Sequence, residues 1–180
     1  MRANMPAALR TSSNMSLEGR RILVTGGARG LGESFACALV AAGARVAIGD
    51  VLHQRGRALA SELGAAACYV EMDVADAASV QAAVASAVSS LGGLDGLVNN
   101  AAITNSGGKD MAELDAATWD HVMAVNVRGV WHTTVAAQPH LAASGSGRVV
   151  NLASDTALWC APSSRAIERV IAITAPLLAT

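Results

Sequence analysis

From residue 20 onward, short apolar runs alternate with longer, Ala-rich periodic segments. That alternation predicts βαβ units and a parallel sheet. RRILVTG (20–26) reads as a buried strand, followed by a helix, GESFACALVAAG (32–43), which Gly43 ends through a left-handed cap. ARVAIGD (44–50) is the next strand and residues 53–63 a polar helix. ACYVEMDV (67–74) makes a third strand, and DAASVQAAVASAVSSLG (76–92) a third helix with Asp76 as N-cap. LDGLVNNAA (94–102) is a fourth strand, residues 115–143 a long helix, and GRVVNLAS (147–154) a fifth strand. The expected architecture is α/β: a three-layer, doubly wound parallel sheet. Ligands of such sheets bind beyond the carboxyl ends of the strands.

With 180 residues the chain builds one core rather than two. Residues 1–17 are expected to form a disordered tail and residues 18–180 a single domain. Aromatics make up only 3% of the chain and hydrophobics 52%, so the core must be Ala, Val, Leu and Ile. A net charge of -1 without any basic block gives no electrostatic footprint for nucleic acid or an anionic membrane. No apolar run approaches the roughly 20 residues that span a bilayer. Cys37, Cys68 and Cys160 lack the spacing of a disulfide framework or zinc site, which suits a reducing cytoplasm. The four histidines fit no metal-ligand spacing and are expected to be surface or packing residues.

The strand ends carry the chemistry. The first strand runs into Gly26, Arg29, Gly30, Leu31 and Gly32, and a helix starts there. Glycines at these places allow a tight turn, close approach to a pyrophosphate and close packing of helix on strand, while the helix N-terminus favours the phosphate charge. Asp50 ends the second strand about 20 residues on, as a ribose-binding carboxylate should. It would accept hydrogen bonds from a ribose 2′-hydroxyl and repel a 2′-phosphate, which favours NAD over NADP. Arg29 argues the other way but with less weight.

Together with Asp73-Val74, Asn99-Asn100-Ala101-Ala102 and Asn126 in MAVNVRGVW, the Thr25-Gly26-x-x-x-Gly30-x-Gly32 pattern resembles the short-chain dehydrogenase/reductase family over residues 18–162. The resemblance implies a Rossmann fold and NAD-dependent hydride transfer on a secondary alcohol or ketone. It places Asp73 and Val74 at the adenine, and Asn100, Ala101 and Ala102 beside the adenosine ribose and nicotinamide. Ala102 replaces the family's usual Gly. Asn126 would organise a water in a proton relay, and Ser154 would steady the substrate oxygen. Pairing of copies of the chain through the long helices is a further implication.

The family's proton donor is a Tyr, with a Lys four residues later on the same helical face. Counting from Ser154 lands on Ile167 and Ile171; anchoring on VIAIT lands on Ser163 and Ile167. The single tyrosine is Tyr69, on the third strand, and the single lysine is Lys109, before the long helix. Arg165 and Arg169 have the spacing, but a guanidinium does not shuttle protons. The family's later strands and substrate loop do not follow within the chain, so an incomplete sheet is expected. These features predict little or no turnover with retained NAD affinity. The alternatives are a non-catalytic dinucleotide-binding or partner-binding protein, and a copy whose frame is disrupted after Pro162.

Overall fold

The computed structural model describes residues 16–103 and 115–153. The strands are β1 (Arg21–Thr25), β2 (Arg45–Asp50), β3 (Ala67–Glu71), β4 (Gly96–Asn99) and β5 (Arg148–Asn151). Between them lie α1 (Gly30–Ala41), α2 (His53–Leu63), α3 (Ala77–Leu91), α4 (Ala116–Met123) and α5 (Gly129–Ala143). The strands are all parallel, in the order β3-β2-β1-β4-β5. The chain therefore builds outward from β1 to β3, then returns to the other side of β1 for β4. This is the doubly wound sheet expected from the sequence, and its switch point lies between β1 and β4.

Alternation along β1 divides the core in two. Ile22 and Val24 join Val46, Ile48 and Leu59 on the face covered by α1 and α2. Leu23 faces the other side, with Met72, Val80, Val84 and Leu97 beneath α3 and α5. Ala83, Ala87, Ala136 and Ala137 are buried where α3 meets α5, so small side chains let the two helices approach closely.

Helix ends follow local chemistry. Asp76 accepts the Ala78 N–H at 2.9 Å as the N-cap of α3, as expected. Gly43, at φ +94°, ends the turn after α1. α3 has no basic residue in its own last turn. Its terminal carbonyls are met by arginines from the sheet: Arg45 donates to Leu91 and Ser90, and Arg21 to Gly92 just past the end.

The segment expected as one long helix is continuous from Ala116 to Ala143 but contains a π-turn over Ala124–Arg128. Its hydrophobic periodicity carries no sign of that turn. Of the tail expected over residues 1–17, residues 1–15 lie outside the described residues. Leu17 donates its N–H to the Ala42 carbonyl at 2.9 Å and packs on the core. Ser154, Ser163, Ile167 and Lys109 also lie outside the described residues.

Candidate functional site

A cleft of ≈ 500 Å³ opens beyond the carboxyl ends of the strands, at the switch point. Thr25, at the end of β1, is buried, and its hydroxyl oxygen accepts the main-chain N–H groups of Asn100 and Ala101, both at 3.1 Å. The ends of β1 and β4 are thereby fastened together. The Asn100 side-chain amide donates to the carbonyls of Thr25 and Gly26, each at 3.0 Å, which fixes the start of the glycine loop.

The glycines divide by role. A Cβ on Gly26 would meet the Ala101 Cα at 2.8 Å, and one on Gly32 would overlap the Gly26 carbonyl, so both make room for protein backbone. Gly30 differs: its φ of +58° suits glycine, yet a Cβ there would meet nothing within 4 Å. The backbone at Gly30 is bare toward the cleft that it lines. Arg29, in extended conformation, is the N-cap of α1 and makes no side-chain cap hydrogen bond. An uncapped helix N-terminus behind bare glycine backbone fits a pyrophosphate.

Asp50, only 7% exposed, reaches the cleft from the end of β2. Its Oδ2 accepts the Ala28 N–H at 2.9 Å and its Oδ1 accepts the Leu52 N–H at 3.0 Å. One carboxylate thus ties the glycine loop to the β2–α2 turn. Each oxygen keeps further acceptor capacity, which suits the paired hydroxyls of a ribose. Asp73 is exposed at the rim, where its Oδ1 accepts the Ala75 N–H at 2.9 Å and its own N–H donates to Ser79 Oγ. Beside it Val74 is buried, with its carbonyl 3.1 Å from His132 Nδ1. These apolar and polar surfaces can hold the adenosine half of a dinucleotide.

Past β4, Ala101, Ala102 and Ile103 form the opposite wall. Asn126, in the π-turn, holds this wall with both ends of its amide: Oδ1 accepts the Ile103 N–H at 2.9 Å and Nδ2 donates to the Ile103 carbonyl at 2.8 Å. Behind the wall, Asn99 Nδ2 donates to Asn151 Oδ1 on β5 at 2.8 Å, and Thr133 donates to Asn99 Oδ1 at 2.6 Å.

Gly26, Arg29, Gly30, Leu31, Gly32, Asp50, Asp73, Val74, Asn100, Ala101 and Ala102, picked out from the sequence, all line this one cleft. Asn126 stands one residue behind it, through Ile103. Val51, Leu52, Met72 and His121, which no sequence motif marks as site residues, also line it. The first three flank recognised motifs, whereas His121 carries no local signal and is brought in by α4. Tyr69 projects from β3 and bonds to Asp50, so it holds no position on the nicotinamide side among the described residues. No group of three or more His, Cys, Asp or Glu that could hold a metal occurs among the described residues. No helix among them is long and apolar enough to cross a membrane.

The parallel 3-2-1-4-5 sheet and the cleft at its switch point define a Rossmann domain of the dinucleotide-binding kind. The short chain dehydrogenase family model matches residues 20–165, and the chain belongs to that family. It is 42% identical over 138 residues to a 3-alpha-(or 20-beta)-hydroxysteroid dehydrogenase of Mycobacterium tuberculosis (strain ATCC 25618 / H37Rv), covering 77% of this chain and 52% of the relative. It is 40% identical over 141 residues to a sorbitol dehydrogenase of Cereibacter sphaeroides, covering 78% and 54%. Among solved structures, a 3-ketoacyl-(acyl-carrier-protein) reductase from Brucella melitensis complexed with NADH matches with TM-score 0.82 and 35% identity, over 87% of this chain and 65% of that one. The chain spans about half the length of the curated relatives it matches.

Proposed function

We propose that the chain binds NAD in the cleft between β1, β2 and β4, as the nucleotide-binding part of an oxidoreductase acting on a secondary alcohol or ketone. The observation that carries this reading is Asp50. Its carboxylate is fixed by two main-chain N–H groups at the cleft wall, at the carboxyl end of β2. There it accepts from the ribose 2′-hydroxyl of NAD and repels the 2′-phosphate of NADP. The bare backbone at Gly30 and the N-terminus of α1 receive the pyrophosphate, while Asp73 and Val74 flank the adenine. The NADH reported with the Brucella melitensis reductase supports the same choice of cofactor.

When bound, NAD supplies the hydride-accepting nicotinamide. This chain's residues orient it: Asn126 holds the Ile103 main chain, and the Asn100 to Ala102 loop forms the wall on the nicotinamide side. Ser154, on the segment after β5, is proposed to hold the substrate oxygen. Proton transfer needs a titratable group within hydrogen-bond reach of that oxygen. The family's Tyr and Lys are replaced in both registers by Ser or Ile, so turnover by this chain is proposed to be slight or nil. The second reading, a non-catalytic dinucleotide-binding or partner-binding protein, is favoured by that same replacement. Self-association through the long helices and a cytoplasmic location complete the proposal.

Calorimetric titration of the purified chain with NAD and NADP, followed by an NADH-absorbance assay on a panel of secondary alcohols, tests it. Saturable NAD binding without measurable turnover is expected. Turnover at ordinary enzyme rates overturns the inactivity, and absence of NAD binding overturns the assignment itself.

A further inference from the structure

The phenol of Tyr69 has an unusual path. From edge strand β3 it crosses under the first turns of α2 and reaches the top of β2. There its hydroxyl donates to the main-chain carbonyl of Asp50 at 2.7 Å. The path is open because residue 56 is glycine: a Cβ there would overlap the Tyr69 ring. The Asp50 carbonyl also accepts the Met72 N–H at 3.2 Å, so its peptide plane is held from two sides. The Tyr69 hydroxyl oxygen has one more partner, His53 Nδ1 at 3.0 Å. With the hydroxyl proton on Asp50, that nitrogen is the donor. Glu71 Oε2 lies 3.6 Å from the same nitrogen. Burial, then the carboxylates of Glu71 and Asp50, push the phenol above its ordinary range, so it remains a donor at neutral pH.

We propose that Tyr69, threaded past Gly56 and held by His53, is a positioning residue that sets Asp50 for the ribose 2′-hydroxyl of NAD. This rests on the NAD reading above. The carbonyl that Tyr69 holds belongs to the residue whose carboxylate faces the ribose. The next residues, Val51 and Leu52, line the same cleft, and Leu52 donates to that carboxylate. The ring fills the slot over Gly56, and the hydroxyl's two partners are the Asp50 carbonyl and His53 Nδ1.

The test is calorimetric binding of NAD and of its 2′-deoxyadenosine analogue to the wild-type chain, Tyr69→Phe and His53→Ala. Tyr69→Phe is expected to weaken NAD about fivefold, the size of one lost neutral hydrogen bond, and to leave the analogue within about twofold. His53→Ala removes a half-exposed side chain and should show the same selective loss at smaller size. It decides the matter should Tyr69→Phe not fold. Equal weakening of both ligands, or of neither, overturns the positioning role. Wild-type binding of NAD without preference over the analogue overturns it as well and leaves the NAD assignment standing. Absence of wild-type NAD binding overturns that assignment and the positioning role together.

Discussion

The carboxylate of Asp50 accepts the main-chain N–H of Ala28 at 2.9 Å across 22 residues of sequence. This bond makes the residue proposed to choose the cofactor also the clasp of the glycine loop. Asp50→Ala leaves the Ala28 and Leu52 N–H groups without their acceptor. The expected cost is about 1–3 kcal/mol of stability. NAD affinity should fall more than about tenfold, and discrimination against NADP should shrink. Urea unfolding and paired NAD and NADP titrations measure the two effects separately.

Gly30→Ala and Gly32→Ala should part company. At Gly30 the space is open and only the left-handed backbone is disfavoured, so a cost of about 1–2 kcal/mol is expected. At Gly32 a methyl group would run into the Gly26 carbonyl and sit 2.6 Å from the Asn100 amide, both fixed groups. The loop must shift, and NAD binding should be abolished with a larger fall in thermal midpoint. Thermal melting of the two variants side by side gives the ordering.

Asn126→Leu removes both hydrogen bonds to Ile103 and leaves two main-chain polar groups without those partners. A loss of about 1–3 kcal/mol per group left unpaired is the upper expectation, reduced where water reaches it. The local readout is amide hydrogen exchange: protection at Ile103 should drop while β1 and β2 keep theirs.

Arg21 binds Asp95 with both sides of its guanidinium, at 2.7 and 3.0 Å, and with its main-chain N–H at 2.9 Å. These bonds hold the Asp95 carboxyl below its ordinary range, despite the opposing effect of burial. Because the folded pKa is lowered, the contribution is complete above the unfolded value, near about 4. It is lost as pH falls from there through the folded value. Asp95→Asn should therefore flatten the acid limb of a stability-versus-pH curve, as followed by urea unfolding at a series of pH values.

The fold was legible because each strand is bounded by its own signal. Asp76 caps α3, Gly43 ends the turn after α1, and the 53–63 helix has the bounds of α2. The cleft was legible where its residues lie at strand ends, because the topology brings those ends together whatever the details. Three features were not. The π-turn at Asn126 follows from tertiary bonding to Ile103, and periodicity does not register such bonds. His121 reaches the cleft only through the placement of α4. Tyr69 shows in the sequence only as the single tyrosine, on the third strand, since its bond to Asp50 spans two strands that neighbour each other in space but lie 19 residues apart.

A fixed Asp50 and the bare glycine backbone are what is proposed to make this chain an NAD site. One calorimetric titration of the purified wild-type chain tests it, with NAD in one run and NADP in the other. A saturable isotherm of one NAD per chain, with NADP weaker by at least about tenfold, is the predicted result. A flat NAD isotherm, or equal affinity for both, would contradict it.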